Sequence, residues 1–245
     1  MASVSKAKVA KIAAGIRAFC KKNADAALVK KYAKYFKEGY DAYGVPGDAS
    51  QRERERLLEL YGDELGLAGF LDLGDVLMAG GKYEEGFFAI ALVAAYRDEF
   101  KKGTLPRMAR WLDRGVRNWA HADVLCGDVL SYFLGERVVE LDALASWRRA
   151  ASKWRRRAVP VSMLALLKKE KDYRPLLEFI RPMMHDPERV VHQGLGWFLR
   201  EAWKREPAPV EAFLLQFKDT APRLIFQYAT EKMTPAARNR FRRAK

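Results

Sequence analysis

The sequence predicts an all-α protein, a curved solenoid of antiparallel helix pairs, and three observations carry that expectation. Strand signals are nearly absent, with no sustained alternation of β-branched residues and no Asn-Gly hairpin turn. Apolar residues instead recur at helical spacing along the whole chain. The third observation is a weak internal repeat. Trp111 and Trp119 stand eight apart before a long helical stretch, Trp147 and Trp154 stand seven apart about 36 residues later, and the segment from Phe179 to Trp203 repeats the pattern. A recurrence at that interval is what stacked helix pairs produce, and such a stack presents a concave binding surface.

In chain order, the pattern predicts helices over 4–21, 25–42, 49–61, 70–79, 83–101, 105–114, 117–134, 140–150, 152–169, 174–184, 187–205, 208–217, 220–231 and 235–243. Asp48 and Thr234 have the chemistry of N-caps, and Pro235 suits a first helical turn. Gly44, Gly80 with Gly81, Gly103 and Gly135 suit helix ends, and Pro160 should kink the helix that contains it. The acidic Glu53, Glu55 and Glu59 read as an outward face. No composition shift marks a boundary, so residues 1–245 read as a single repeat domain, with a basic first helix (1–24) and a basic tail (235–245).

Of 245 residues, 45 are Lys or Arg and 31 are Asp or Glu, a formal net charge of +14. That balance favours a polyanionic partner, nucleic acid or an anionic surface. The longest nearly apolar run, residues 86–96, is far short of the ~20 residues of a membrane span, so no membrane association is expected. Residues 1–24 hold six basic residues and no acid, a pattern shared by a basic helix and a transit segment; the helix is the reading adopted. Cys20 and Cys126 form no framework and should be reduced thiols of a cytoplasmic, nucleoid-associated protein. His121, His185 and His192 have no partner at metal-ligand spacing, and no Gly-rich phosphate loop occurs, so neither metal nor cofactor is expected. His192 could reach DNA from its helix, although a packing role is simpler. The run Arg238 to Arg243 could contact phosphate or form a solvated face.

The stretch from Asn118 to Leu125 carries the chemistry. Trp119 and Asp123 are four apart and share a helix face. A carboxylate there has two readings: an exposed acid beside a core Trp, or an acid retained against DNA for chemistry. Basic residues at Arg155, Arg156, Arg157, Arg200 and Lys204 fall on the helices expected to line the concave surface. Three segments in register, Trp119 with Asp123, Trp154 to Ala158 and Gly196 to Glu201, resemble the landmarks of the HEAT-like DNA alkylation repair glycosylases (the AlkD family). The resemblance runs from about residue 25 to the end.

That resemblance implies a DNA N-glycosylase acting on cationic alkylated purines, 3-methyladenine and 7-methylguanine, in duplex DNA. It implies that Asp123 is the catalytic carboxylate, that Trp119 and Trp197 pack beside the deoxyribose of the lesion, and that Arg157 holds the DNA backbone. It also implies that Tyr35 contacts DNA and that the lesion stays stacked. Arg156, Arg200 and Lys204 join the expected DNA contacts, and the protein is expected to act as a monomer without cofactor. Two departures stand out: Pro46 replaces a polar DNA contact, and Arg189-Val190 replaces an aromatic pair before Gln193. The alternative is a non-catalytic HEAT-like binder of bent, branched or damaged DNA, and beyond it a protein-interaction scaffold.

Overall fold

The computed structural model describes residues 5–243; the expected helix start at Val4 and the last two residues of the expected tail lie outside them. Every regular element among the described residues is helical, as the periodicity requires. The helices are α1 (Lys6–Lys22), α2 (Ala26–Ala33), α3 (Gly47–Gly80), α4 (Tyr83–Ala94), α5 (Leu105–Arg114), α6 (Trp119–Leu125), α7 (Ser131–Gly135), α8 (Lys153–Ser162), α9 (Arg174–Ile180), α10 (Arg189–Trp203), α11 (Pro207–Phe217), α12 (Arg223–Ala229) and α13 (Pro235–Asn239). The chain divides into two compact units, residues 1–129 and 130–245.

In the first unit α3 packs along α4 and against α1. Phe70, Leu73, Leu77, Phe88, Ile90 and Leu92 are fully buried between these helices. The stretches expected at 49–61 and 70–79 form one element, broken at Gly66, whose φ of +52° is a left-handed conformation open to glycine. Asp48 is not the N-cap. Pro46 holds that place, and Asp48 sits in the first turn of α3, paired with Arg52. Glu53 does not face outward: it is buried and held by Arg56 in two hydrogen bonds of 2.6 and 2.8 Å. Trp111 is buried on α5, where its indole N–H donates to Asp75 at 2.6 Å and Arg107 closes the same carboxylate. Cys20 is a buried free thiol, and burial pushes its pKa up to about 12, so it stays protonated.

Two expected helices of this unit end early. The stretch 25–42 is helical only to Ala33, and 83–101 only to Ala94, with a 3-10 turn following at Arg97–Glu99. The first of these matters most, because residues 34–46 become a loop tied down by the opposite helix. Gly44 accordingly caps no helix end. It lies within that loop at φ +82°, and a Cβ there would stand 2.1 Å from the Asp25 carbonyl.

In the second unit α10 packs against α8, α11 and α12, with Leu195, Phe198 and Leu199 fully buried along it. The stretch 140–150 is a 3-10 helix (Leu141–Arg149) rather than an α-helix. Pro160 sits inside α8, and the following turn tightens to 3-10 geometry over Met163–Lys168. Proline lacks the N–H that would continue the α-helical ladder. The stretch 220–231 shortens to α12, and Thr234 caps α13 as expected, its hydroxyl accepting from the Ala237 N–H at 3.2 Å. The arginines of the run Arg238 to Arg243 are exposed, and the run is tied to the fold. Phe241 is buried, Arg240 pairs with Glu211 at 2.6 Å, and Arg238 and Arg243 donate to backbone carbonyls.

Candidate functional site

The expected helix 117–134 begins at Trp119 because Asn118 caps it: the Asn118 side-chain oxygen accepts from the His121 N–H at 2.9 Å. Trp119 is therefore the first residue of α6, and its helix position leaves the indole 37% exposed. Asp123 follows one turn later and is half-buried. Beyond it a π-helical turn, Cys126–Leu130, leads into α7.

Trp119 is held at both its edge and its face. Its indole N–H donates to the Tyr35 carbonyl at 3.1 Å, and Phe36 stacks on it with ring centres 5.4 Å apart. Tyr40 in turn stacks on Phe36 at 4.4 Å, so three near-parallel rings form a column. Tyr35 itself is 57% exposed.

The loop that supplies Tyr35 and Phe36 is anchored by two acids in the first turn of α4. Buried Glu84 accepts from the backbone N–H groups of Tyr43 (2.8 Å), Gly44 (2.7 Å) and Val45 (3.1 Å). Glu85 accepts from Arg17 at 2.9 Å and from the Tyr43 hydroxyl at 3.0 Å. Phe36, Tyr40, Tyr83 and Glu84 were not singled out from the sequence. The density of Lys and aromatic residues over 30–43 was the available signal.

His121 does not face Asp123. It is buried, stacked on Tyr83 at 5.2 Å, and its Nε2 lies 2.8 Å from the Tyr83 carbonyl while Nδ1 faces the Asn118 amide. A carbonyl only accepts and an amide NH2 only donates, so the ring carries its proton on Nε2, leaves Nδ1 as acceptor and is neutral. Gly86 makes room for it, since a Cβ there would stand 2.5 Å from the imidazole. Burial pushes the His121 pKa below its ordinary 6.5. The folded state thus binds that proton less readily than the unfolded chain, and acidification below about pH 6.5 favours unfolding. Urea denaturation should give a lower stability at pH 5.5 than at pH 7.5, and His121→Gln should shrink that difference.

The remaining expected residues lie in the second unit. Arg157 is only 5% exposed, and its Nη1 donates to the Val190 carbonyl of α10 at 2.5 Å. Trp197, on α10, is half-buried. Arg156 forms a two-point pair with Asp186 at 2.6 and 3.3 Å. Arg200 bridges Glu231 (2.5 Å) and Glu201 (3.0 Å), and Lys204 pairs with Glu201 at 2.7 Å. Burial works to raise the Glu201 pKa, but hydrogen bonds from Lys204 and Arg200 outweigh it and hold the carboxyl below its ordinary value. His192 does not reach outward: it is buried, and Nε2 meets the Asp186 carbonyl. Of the two departures, Pro46 leads into α3, its carbonyl accepting from Ser50, and Val190 supplies the carbonyl that holds Arg157. Gln193 donates to the Tyr228 hydroxyl at 2.8 Å.

Residues 16–233 match the family described as DNA alkylation repair enzyme. The chain belongs to that family. Membership assigns it a role in DNA alkylation repair, in line with the resemblance carried by Trp119, Asp123 and the two later segments. The fold is shared with a solved structure described as a predicted DNA alkylation repair enzyme from Enterococcus faecalis, at a TM-score of 0.74 and 17% identity over 87% of this chain and 98% of that one. It is also shared with the smu.31 protein from Streptococcus mutans UA159, at a TM-score of 0.57 and 17% identity over 75% of this chain and 92% of that one. At such identity the likeness shows the fold alone. No curated protein matches the sequence. No helix among the described residues is long and apolar enough to cross a membrane.

Proposed function

We propose that this member of the DNA alkylation repair enzyme family is a DNA N-glycosylase that releases cationic alkylpurines, 3-methyladenine and 7-methylguanine, from duplex DNA. The observation that carries the reading is the exposed indole of Trp119, fixed at the start of α6 by Asn118 and Tyr35, with the Asp123 carboxylate one helical turn behind it.

The chemistry follows from the charge of the lesion. The N–C1′ bond breaks heterolytically, and its electron pair leaves with the base, neutralising the methylated ring, so no general acid is needed. C1′ becomes an oxocarbenium ion. Asp123 stabilises that positive charge and orients the water that adds to C1′, taking its proton. The face of Trp119 adds a cation–π attraction of about 0.5–2 kcal/mol. Trp197 packs beside the sugar, as the resemblance implies; Arg157, buried with its Nη1 on the Val190 carbonyl, reaches the backbone only by leaving that contact. Tyr35, Arg156, Arg200 and Lys204 are supporting contacts, the last three exchanging carboxylate partners for phosphates. The chain acts as one repeat domain and as a monomer at the nucleoid.

The test is chromatographic detection of free base after incubation with methylated duplex DNA. Release of 7-methylguanine or 3-methyladenine is the expected result. Tight duplex binding with no release would replace this reading by the non-catalytic DNA binder.

A further inference from the structure

The first unit contains a cleft of about 440 Å³ that extends well beyond the two residues, Trp119 and Tyr35, that it shares with the proposed glycosylase centre. Its lining includes Tyr32, Tyr35, Phe36, Tyr40, Tyr83 and Trp119. The volume falls in the range of small-molecule sites, and six of the twelve lining residues are aromatic. Four large hydrophobic side chains are exposed among the described residues: Tyr32 (40%), Tyr35, Trp119 and Leu60. Three of the four belong to this cleft. Their clustering is unexpected for a surface left to water, because exposed apolar groups gathered in one place mark a contact site.

The segment that carries Tyr32, Tyr35, Phe36 and Tyr40 is cationic. Residues 26–40 hold Lys30, Lys31, Lys34 and Lys37 against a single acid, Glu38, and all five are exposed. Two of the ammonium groups stand over the exposed rings, Lys31 at 5.5 Å from the centre of Tyr32 and Lys34 at 5.1 Å from that of Tyr35. The acid that lines the cleft, Glu84, is committed to three backbone N–H groups. A planar apolar ring attached to phosphates meets both requirements, rings to stack on and lysines for the charge.

We infer that this cleft takes an unpaired base of single-stranded DNA, stacked against the column of Trp119, Phe36 and Tyr40, with the neighbouring phosphates on the lysines of α2 and its loop. Stacking platforms beside positive charge are how single strands are held without sequence preference. The site shares Trp119 and Tyr35 with the proposed glycosylase centre but does not depend on base excision. It would let the protein engage frayed or gapped DNA as well as the intact duplex.

The experiment uses an oligothymidylate of about twelve nucleotides, within the span such sites cover, carrying one central 2-aminopurine, whose fluorescence falls on stacking. The full chain should bind it at low salt with quenching. Phe36→Leu and Tyr32→Ala should each weaken binding by on the order of tenfold. Tyr32 lies on α2, a helix that buries no side chain, so Tyr32→Ala keeps the fold, with circular dichroism as the check. No binding, binding without quenching, or wild-type affinity in folded Tyr32→Ala and Phe36→Leu would each overturn the inference. Base release from methylated duplex is assayed on the same preparations. Release without single-strand quenching defeats this inference alone, and quenching without release defeats the glycosylase reading alone.

Discussion

Replacing Asp123 with asparagine should lower single-turnover release of 7-methylguanine from duplex DNA at least tenfold, equivalent to about 1.4 kcal/mol of barrier. The amide keeps the shape of the side chain and removes its charge. What it removes is therefore the interaction that grows as C1′ becomes cationic, not the binding of the ground state. Losses of a hundredfold or more are common where a preorganised charge is deleted. Affinity for the methylated duplex should stay level or rise, since one negative charge leaves a DNA-facing surface. A gel-shift titration beside the rate measurement separates the two effects.

The second large effect lies away from the chemistry. Glu84 is buried and accepts three backbone N–H groups from residues 43–45. Glu84→Gln replaces one accepting oxygen with an NH2 group that points donor against donor. Hydrogen bonds to a charged acceptor contribute about 1.5–3 kcal/mol each, and buried donors without a partner cost a similar amount. A loss of about 3 kcal/mol is expected, and for a chain of this size that is roughly 6–12 °C in Tm. The loop carrying Tyr35 and Phe36 should loosen with it, so base release should fall along with stability. Differential scanning calorimetry measures the first effect. An unchanged Tm would show that these three contacts are replaceable.

How much of this was legible in the sequence depends on where each residue's partners lie. Helical class was readable because periodicity is local: each apolar position is dictated by neighbours three and four residues away. Trp119 and Trp111 look alike by that test. One is buried against Gly74 with Asp75 on its N–H, and the other is exposed at a helix start. Only the match of Trp119 with Asp123 and two later segments distinguished them. Glu84 and Glu85 read as ordinary acids in a first helical turn, where the helix dipole favours them. Their actual partners are some forty residues distant, and 68 for Arg17, and no local pattern announces them. The same contacts hold the loop that follows α2, whose helix stops at Ala33 instead of running over 25–42. Arg156 and Arg200 were readable as positive charge but not as ion pairs with Asp186 and Glu231, which meet them through the fold from some thirty residues away.

In the proposed mechanism a carboxylate expels bases that already carry positive charge, with no acid to protonate a neutral one. The measurement that tests it most directly is base release from otherwise identical duplexes bearing 7-methylguanine, 3-methyladenine or neutral hypoxanthine. Release of the two cationic bases and retention of hypoxanthine is the expected result. Hypoxanthine release at a comparable rate, or binding of all three duplexes with no base released, would contradict it.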